Sequence, residues 1–253
     1  RLAHTMEMPT PNLVIKAFGG GQVWVNGQLL GQKDWQTQSV RELFFFFLES
    51  GRPLGREQIA GTLWPETEDP AKARLRFKNE IYRLRRAVGN EAILFDSGEH
   101  YQFNRSVDHE YDVEAFDAYL GKAKAATTAA QQIEFYERAI SLVQGKYLED
   151  VIGSWAMPEQ ERLRQAFLAA ATALGELYLR EGQAPKARDV SERALEQDDT
   201  HEPLYRVLMQ VYDRLGDKAT IAHVYQRCES ALKKGLGVSP SQETQDLYEN
   251  LTI

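Results

Sequence analysis

The chain has 253 residues, long enough for two domains with a core each, and its 43% hydrophobic and 26% charged content is ordinary for a soluble globular protein. Its formal net charge of −7 speaks against a nucleic-acid partner for the whole chain, yet residues 1–107 carry 14 Lys and Arg against 12 Asp and Glu, while residues 108–253 carry 16 against 25. The sequence has no run of eighteen apolar residues to span a membrane, "RLAHTMEMPTP" at the start lacks the apolar core of a signal peptide, and Cys228, the one cysteine, excludes an internal disulfide or multi-cysteine zinc site and suits a reducing cytoplasm.

The chain starts at Arg1 rather than at a Met, as a fragment or a chain with added residues would. Residues 13–31 read as β: "LVIKAF" alternates, "GGG" breaks it, and "QVWVNGQLL" is a hairpin turning at Asn26-Gly27. Thr37 then caps a helix through "QSVRELFFFFLES" that stops at Gly51. Four consecutive phenylalanines cannot share one helix face. Phe44 and Phe47 side with Val40 and Leu48, so Phe45 and Phe46 need other neighbours, the N-terminal sheet among them. A short strand and a second helix, Arg56 to Trp64, end at Pro65. Asp69 is the N-cap and Pro70 the first residue of a third helix, which runs to Val88 and stops at Gly89. "AILFDSGEHYQFN" follows as a hairpin. Sheet, three helices and hairpin in this order make a winged helix over residues 12–107.

From Asp112 onward the chain is almost purely helical, and residues 108–253 read as one α-helical domain. Its last four long helices form two pairs with a period of about 34 residues: Tyr178 recurs as Tyr212, Gly182 as Gly216, Ala187 as Ile221, Val190 as Val224, Arg193 as Arg227 and Ala194 as Cys228. Turn glycines, small residues at crossings and aromatics in gaps are what stacked helical hairpins need. The pattern is that of tetratricopeptide (TPR) repeats. The fold class expected is therefore mainly α with a small β component.

The third helix carries the chemistry. In "RLRFKNEIYRLRRAVG", Phe77, Ile81, Leu84 and Val88 fall within about 60° of one another at 100° per residue, one stripe that must be buried. Lys72, Arg76, Lys78, Asn79, Tyr82, Arg83 and Arg86 lie on the opposite side, with Arg74 and Arg85 flanking the stripe. A solvated helix face mixes both signs at i,i+4 spacing, but Glu80 is the only acid between Ala71 and Val88. Uncompensated like charges point to an anionic partner, and Asn79 and Tyr82 add groups that reach bases or phosphates. In a winged helix this third helix enters the DNA major groove and the hairpin touches the backbone beside it. If four to six cations meet phosphates, the log–log salt slope of binding is about −4 to −5. Arg76 and Arg86 are expected to face solvent, so that their removal weakens DNA binding without disturbing the fold.

In the order "FGGGQVWVNG", "REQIAGTLWP", "FKNEIYRLRRAVG" and "HYQFN", and in "SWAMPEQERLRQAFLAA" and "ALKKGLGVSPSQETQDLYENL" further on, the chain resembles the SARP-type (antibiotic regulatory protein) bacterial activators over about residues 12–251. These combine an OmpR/PhoB-type winged helix with a bacterial transcriptional activation domain (BTAD), a TPR-like module. The resemblance implies a cytoplasmic, nucleoid-associated protein that binds double-stranded DNA at promoter direct repeats. It also implies recruitment of RNA polymerase and protomers side by side on DNA, or a homodimer. Lys72 to Arg86 would supply the recognition-helix contacts, and Arg56, Gln58, Thr37 and Gln38 backbone contacts at helix N-termini. The wing departs from the family pattern: Glu99 precedes His100-Tyr101 where relatives carry Gly-Tyr, and an acid there repels phosphate. His100 and Arg105 are the candidate wing contacts, while Tyr101 packs on the core. Relatives can also carry a receiver or an ATPase region, and neither lies within these residues.

No phosphate loop, HExxH or Cys/His zinc spacing is present, no histidine has a nucleophile partner at readable spacing, and no cofactor is expected. "GGG" has no helix behind it to make a phosphate cradle, and "DHEYD" at Asp108–Asp112 reads as a solvated interdomain linker rather than a metal site. An enzyme therefore finds no support. The rival to a DNA-binding activator is a TPR signalling adaptor whose winged helix binds protein. It would be expected to replace Lys72, Arg76, Lys78 and Arg86 by apolar or acidic groups.

Overall fold

A computed structural model of the protein describes residues 12–151 and 153–252; residues 1–11, which hold the opening segment, and Ile152 and Ile253 lie outside the described residues. The described chain divides into two compact units, residues 12–114 with 147–160, and residues 115–146 with 161–252.

The first unit opens with strands β1 (Leu13–Lys16), β2 (Gln22–Val25) and β3 (Gln28–Leu29). Asn26 and Gly27, at φ 49° and 81°, form the tight turn between β2 and β3 that the Asn-Gly pair predicts. A short helix α1 (Gln32–Trp35) precedes α2 (Gln38–Ser50), which Thr37 caps by accepting the Val40 amide at 3.2 Å. Next come β4 (Leu54–Gly55), α3 (Arg56–Leu63) and α4 (Pro70–Val88), the last capped by Asp69. Strands β5 (Ile93–Phe95) and β6 (His100–Phe103) close a winged helix, with β4 as third strand of their sheet in the order β4-β6-β5.

Helix α2 is the centre of this core. Phe44 packs on Trp35 at 5.7 Å and on Phe103 at 6.0 Å between ring centroids, Phe45 is covered by the Arg41 guanidinium, and Phe46 meets Trp155 edge-on. The need for neighbours on all sides is thus met partly by chain from residues 147–160. Arg41 is itself buried and donates to the Gly20 and Gly21 carbonyls, while its guanidinium pairs with Asp150 at 2.9 Å. A Cβ on Gly21, at φ 57°, would lie 2.6 Å from that guanidinium and 2.7 Å from Leu148, so the third glycine of "GGG" is required by close approach.

Two expectations at the domain junction need correction. "DHEYD" is not a solvated linker: His109–Tyr111 forms β7, which pairs in parallel with β1 in the sheet order β3-β2-β1-β7, and the Asp112 carboxylate accepts the Ala17 and Phe18 amides at 2.9 and 3.0 Å. Nor do the compact units divide at 107/108. The Leu148 and Glu149 amides donate to the Ala17 and Gly19 carbonyls, tying residues 147–160 to the first unit although they follow two helices of the second.

The second unit contains most of α5 (Asp112–Ala125) and α7 (Met157–Arg180), with α6 (Ala129–Leu142), α8 (Ala184–Leu195), α9 (Glu202–Arg214), α10 (Lys218–Leu236) and α11 (Gln242–Thr252). The repeat is visible in its backbone. The Gln183 amide returns to the Tyr178 carbonyl and the Gly182 amide to Leu179; 34 residues on, the Asp217 amide returns to Tyr212 and the Gly216 amide to Asp213. Both are Schellman turns with the glycine at positive φ, 73° and 70°. Ala187, Ile221, Ala194 and Cys228 are fully buried at the crossings. The two repeat arginines differ in partner: Arg193 donates to the Val143 carbonyl at 2.7 Å, and Arg227 grips Glu192 through both carboxylate oxygens at 3.0 and 2.7 Å.

Candidate nucleic-acid interface

Helix α4 buries Phe77, Ile81, Leu84 and Val88, the stripe the spacing predicts. That burial, at roughly 1.5–3 kcal/mol per large apolar side chain, fixes the rotation of the helix and hence what it presents outward. Arg85 ties its far end to the wing by donating to the Ile93 carbonyl at 3.1 Å.

The cations of α4 fall into two groups. Lys72, Lys78 and Arg86 are exposed, and among the described residues none is within ion-pair distance of a carboxylate. Arg86 lies over the exposed Tyr82 ring at 5.9 Å, Arg74 is exposed and 4.0 Å from Glu57, and Asn79 is exposed beside them. Arg76 and Arg83 are held instead. Arg76 lies 4.8 Å over the Trp64 ring, pairs with Glu66 at 2.5 Å and donates to Thr67, which keeps the Glu66 carboxyl below its ordinary range. The expectation that Arg76 simply faces solvent is therefore corrected. Arg83 donates at 3.2 Å to Glu80, whose other carboxylate oxygen accepts from the Thr37 hydroxyl. Glu80 is 5% exposed. The one acid of the helix is an internal anchor, and it takes one cation out of the outward-facing set.

The remaining candidates are distributed unevenly. Thr37 spends its hydroxyl on the helix cap and on Glu80, and Gln38 donates to Glu42 at 3.3 Å. Gln58 is exposed on α3, whereas Arg56 pairs with Glu99 of the wing at 3.3 Å. At the wing tip Asp96 accepts the Gly98 and His100 amides, and the His100 amide leads the causes that lower its pKa; the His100 ring lies 3.3 Å from the same carboxylate. Arg105 is corrected as a wing contact. It lies beyond the base of the hairpin, donates to the Leu48 carbonyl at 2.7 Å and pairs with Glu114. Tyr101 packs on Phe77 and Phe95, as expected.

Between α4, Arg56 and Tyr101 lies a groove of about 630 Å³, lined also by Arg74, Lys78, Arg85 and Arg86. Two of its features escaped the residue pattern. Arg85 flanks the groove rather than the core alone, and Leu75 stands 61% exposed among the cations. An apolar residue off the buried stripe signals Leu75 in the helical projection. The arrangement sets a row of exposed polar and basic side chains beside a groove lined by arginines and a lysine. Among the described residues no cluster of side chains could hold a metal ion and no helix is long and apolar enough to cross a membrane.

Comparison with known proteins assigns the family. Residues 111–252 match the bacterial transcriptional activator domain (BTAD). The chain is 24% identical over 97% of its length to the regulatory protein AfsR of Streptomyces griseus and 23% identical over 92% to AfsR of Streptomyces coelicolor, and spans about a quarter of either protein, 26% and 24%. It shares its fold with Mycobacterium tuberculosis EmbR, solved in complex with a low affinity phosphopeptide, at TM-score 0.79 and 20% identity over 96% of this chain and 65% of that one. With a winged helix in front of a family match that covers more than half of the sequence, the chain belongs to the bacterial transcriptional activator domain family, as a transcription regulator of the SARP activator type.

Proposed function

We propose that this regulator binds double-stranded promoter DNA sequence-specifically, with α4 in the major groove, and that its helical-repeat unit contacts protein, RNA polymerase first. The observation that carries the DNA reading is the uncompensated state of Lys72, Lys78 and Arg86 on the exposed side of α4, while the chain as a whole has net charge −7. Binding of side-by-side protomers to direct repeats fits the same reading, because one α4 covers only a few base pairs. The wing contributes less: Glu99 and Asp96 at its tip oppose phosphate, so Arg56 reaches a backbone only by exchanging its Glu99 partner for it.

Lys72, Arg74, Lys78 and Arg86, at about 0.9 each, give a log–log salt slope of about −3.6. This is shallower than counting every cation of the helix suggests. Fluorescence anisotropy on a duplex selected from a random pool tests it across a salt series: Lys78→Ala with Arg86→Ala should bring the slope to about −1.8. A double variant with the wild-type slope and affinity would remove α4 from the interface.

A further inference from the structure

Along α4 the outermost ridge reads Lys72, Leu75, Asn79, Tyr82 and Arg86, and all five are exposed. Leu75 does not belong there by the logic of a solvated helix. It is 61% exposed, outside the buried stripe, one turn before Asn79. The two side chains are therefore neighbours on one helix face, about 5–6 Å apart at Cβ. The Asn79 side chain makes no hydrogen bond to another described residue, so its carboxamide can pair with a base edge.

Resting on the DNA reading above, we propose that Leu75 is a specificity residue that recognises the 5-methyl group of a thymine, beside an adenine held by Asn79. The chemistry is specific. In the major groove adenine offers the N6 donor and N7 acceptor that match a carboxamide bidentately, and thymine offers the one apolar base-edge group, its methyl. A separation of 5–6 Å spans less than two base-pair rises of about 3.4 Å. Leu75 and Asn79 therefore read the same A·T pair or adjacent ones, and the cations on either side of them seat the flanking phosphates. Leu75 adds affinity only where a methyl is present, whereas Lys72, Lys78 and Arg86 add it on any sequence.

The test uses the whole 253-residue chain and the most enriched duplex from a random pool, synthesised with thymine or with deoxyuridine at each T position. The two bases differ only by the methyl. One buried methyl group is worth about fourfold in affinity, so wild type should lose about fourfold at one T position, and Leu75→Ala should bind the thymine and deoxyuridine duplexes alike there. Leu75 is exposed enough for that variant to fold, and an unchanged salt slope shows that its phosphate contacts persist. Equal deoxyuridine losses in wild type and Leu75→Ala, or no loss in wild type, would overturn the thymine assignment while leaving DNA binding in place. A chain that shows no salt-dependent affinity for any duplex overturns the DNA reading, and this one with it.

Discussion

Glu49, in the last turn of α2, is half-buried with one carboxylate oxygen shielded from solvent and without a hydrogen-bond partner. Burial, with Glu159 as second cause, raises its pKa from the ordinary 4.5 to about 8. In the unfolded chain it loses its proton near 4.5. Between these values the folded state holds the extra proton, so stability is full below pH 4.5 and falls as pH rises to about 8. The full shift corresponds to about 5 kcal/mol; solvent screening of a half-buried group reduces this to about 2 kcal/mol. Glu49→Gln, which stays neutral, should abolish that loss. All four tryptophans, Trp24, Trp35, Trp64 and Trp155, belong to the first unit, so their fluorescence in urea follows that unit alone. Asp112 of the same unit, raised by burial, also titrates with folding. The quantity to measure is therefore the difference between variant and wild type from pH 5 to pH 8. Parallel stability curves for the two proteins would refute the burial argument.

Arg76→Ala should destabilise the first unit by about 1 kcal/mol, from its place over Trp64 and its ion pair with Glu66, an effect read by the same fluorescence and absent from Arg86→Ala. Arg83→Ala leaves Glu80 buried with Thr37 as its one remaining partner and should cost about 2 kcal/mol; combining it with Glu80→Gln should restore part of that in urea denaturation. Gly182→Ala, which forces a Cβ onto a backbone at φ 73°, should cost the second unit about 1 kcal/mol or more, seen in the helical circular dichroism on heating.

Much of the fold was legible because its signals are local. The Asn26-Gly27 turn, the Thr37 and Asp69 caps, and the glycines that end the repeat helices are each decided by one or two residues, and they stand where the pattern puts them. Strand β7 was not legible. In "HEY" Tyr111 alone is buried, and what makes the segment a strand is pairing with Leu13–Ile15, some ninety-six residues away. The return of residues 147–160 to the first unit is of the same kind. Asp150 gives no local sign that its partner is Arg41, more than a hundred residues earlier in the chain, whose guanidinium also donates to the Gly20 and Gly21 carbonyls.

The site divides along the same line. Helical projection gives the buried stripe of α4 and the excess of cations opposite it, but projection cannot tell a free cation from one compensated by another element. Glu66 comes from the loop before α4 and Trp64 from the end of α3, and both engage Arg76; Thr37, from the start of α2, holds Glu80, which in turn pairs with Arg83. The consequence is a sharper division of labour than the sequence suggests. Arg76, over Trp64 and paired with Glu66, and Glu80, held by Thr37 and Arg83, reinforce the buried stripe in fixing the rotation of α4, so that Lys72, Leu75, Asn79, Lys78 and Arg86 face outward. A helix free to roll would present like charges equally well and would bind DNA without reading it; sequence discrimination needs base-edge groups held to within a fraction of a base-pair rise. Removal of Arg76 is thus expected to alter specificity through the position of α4, and the salt slope, blind to position, should change little.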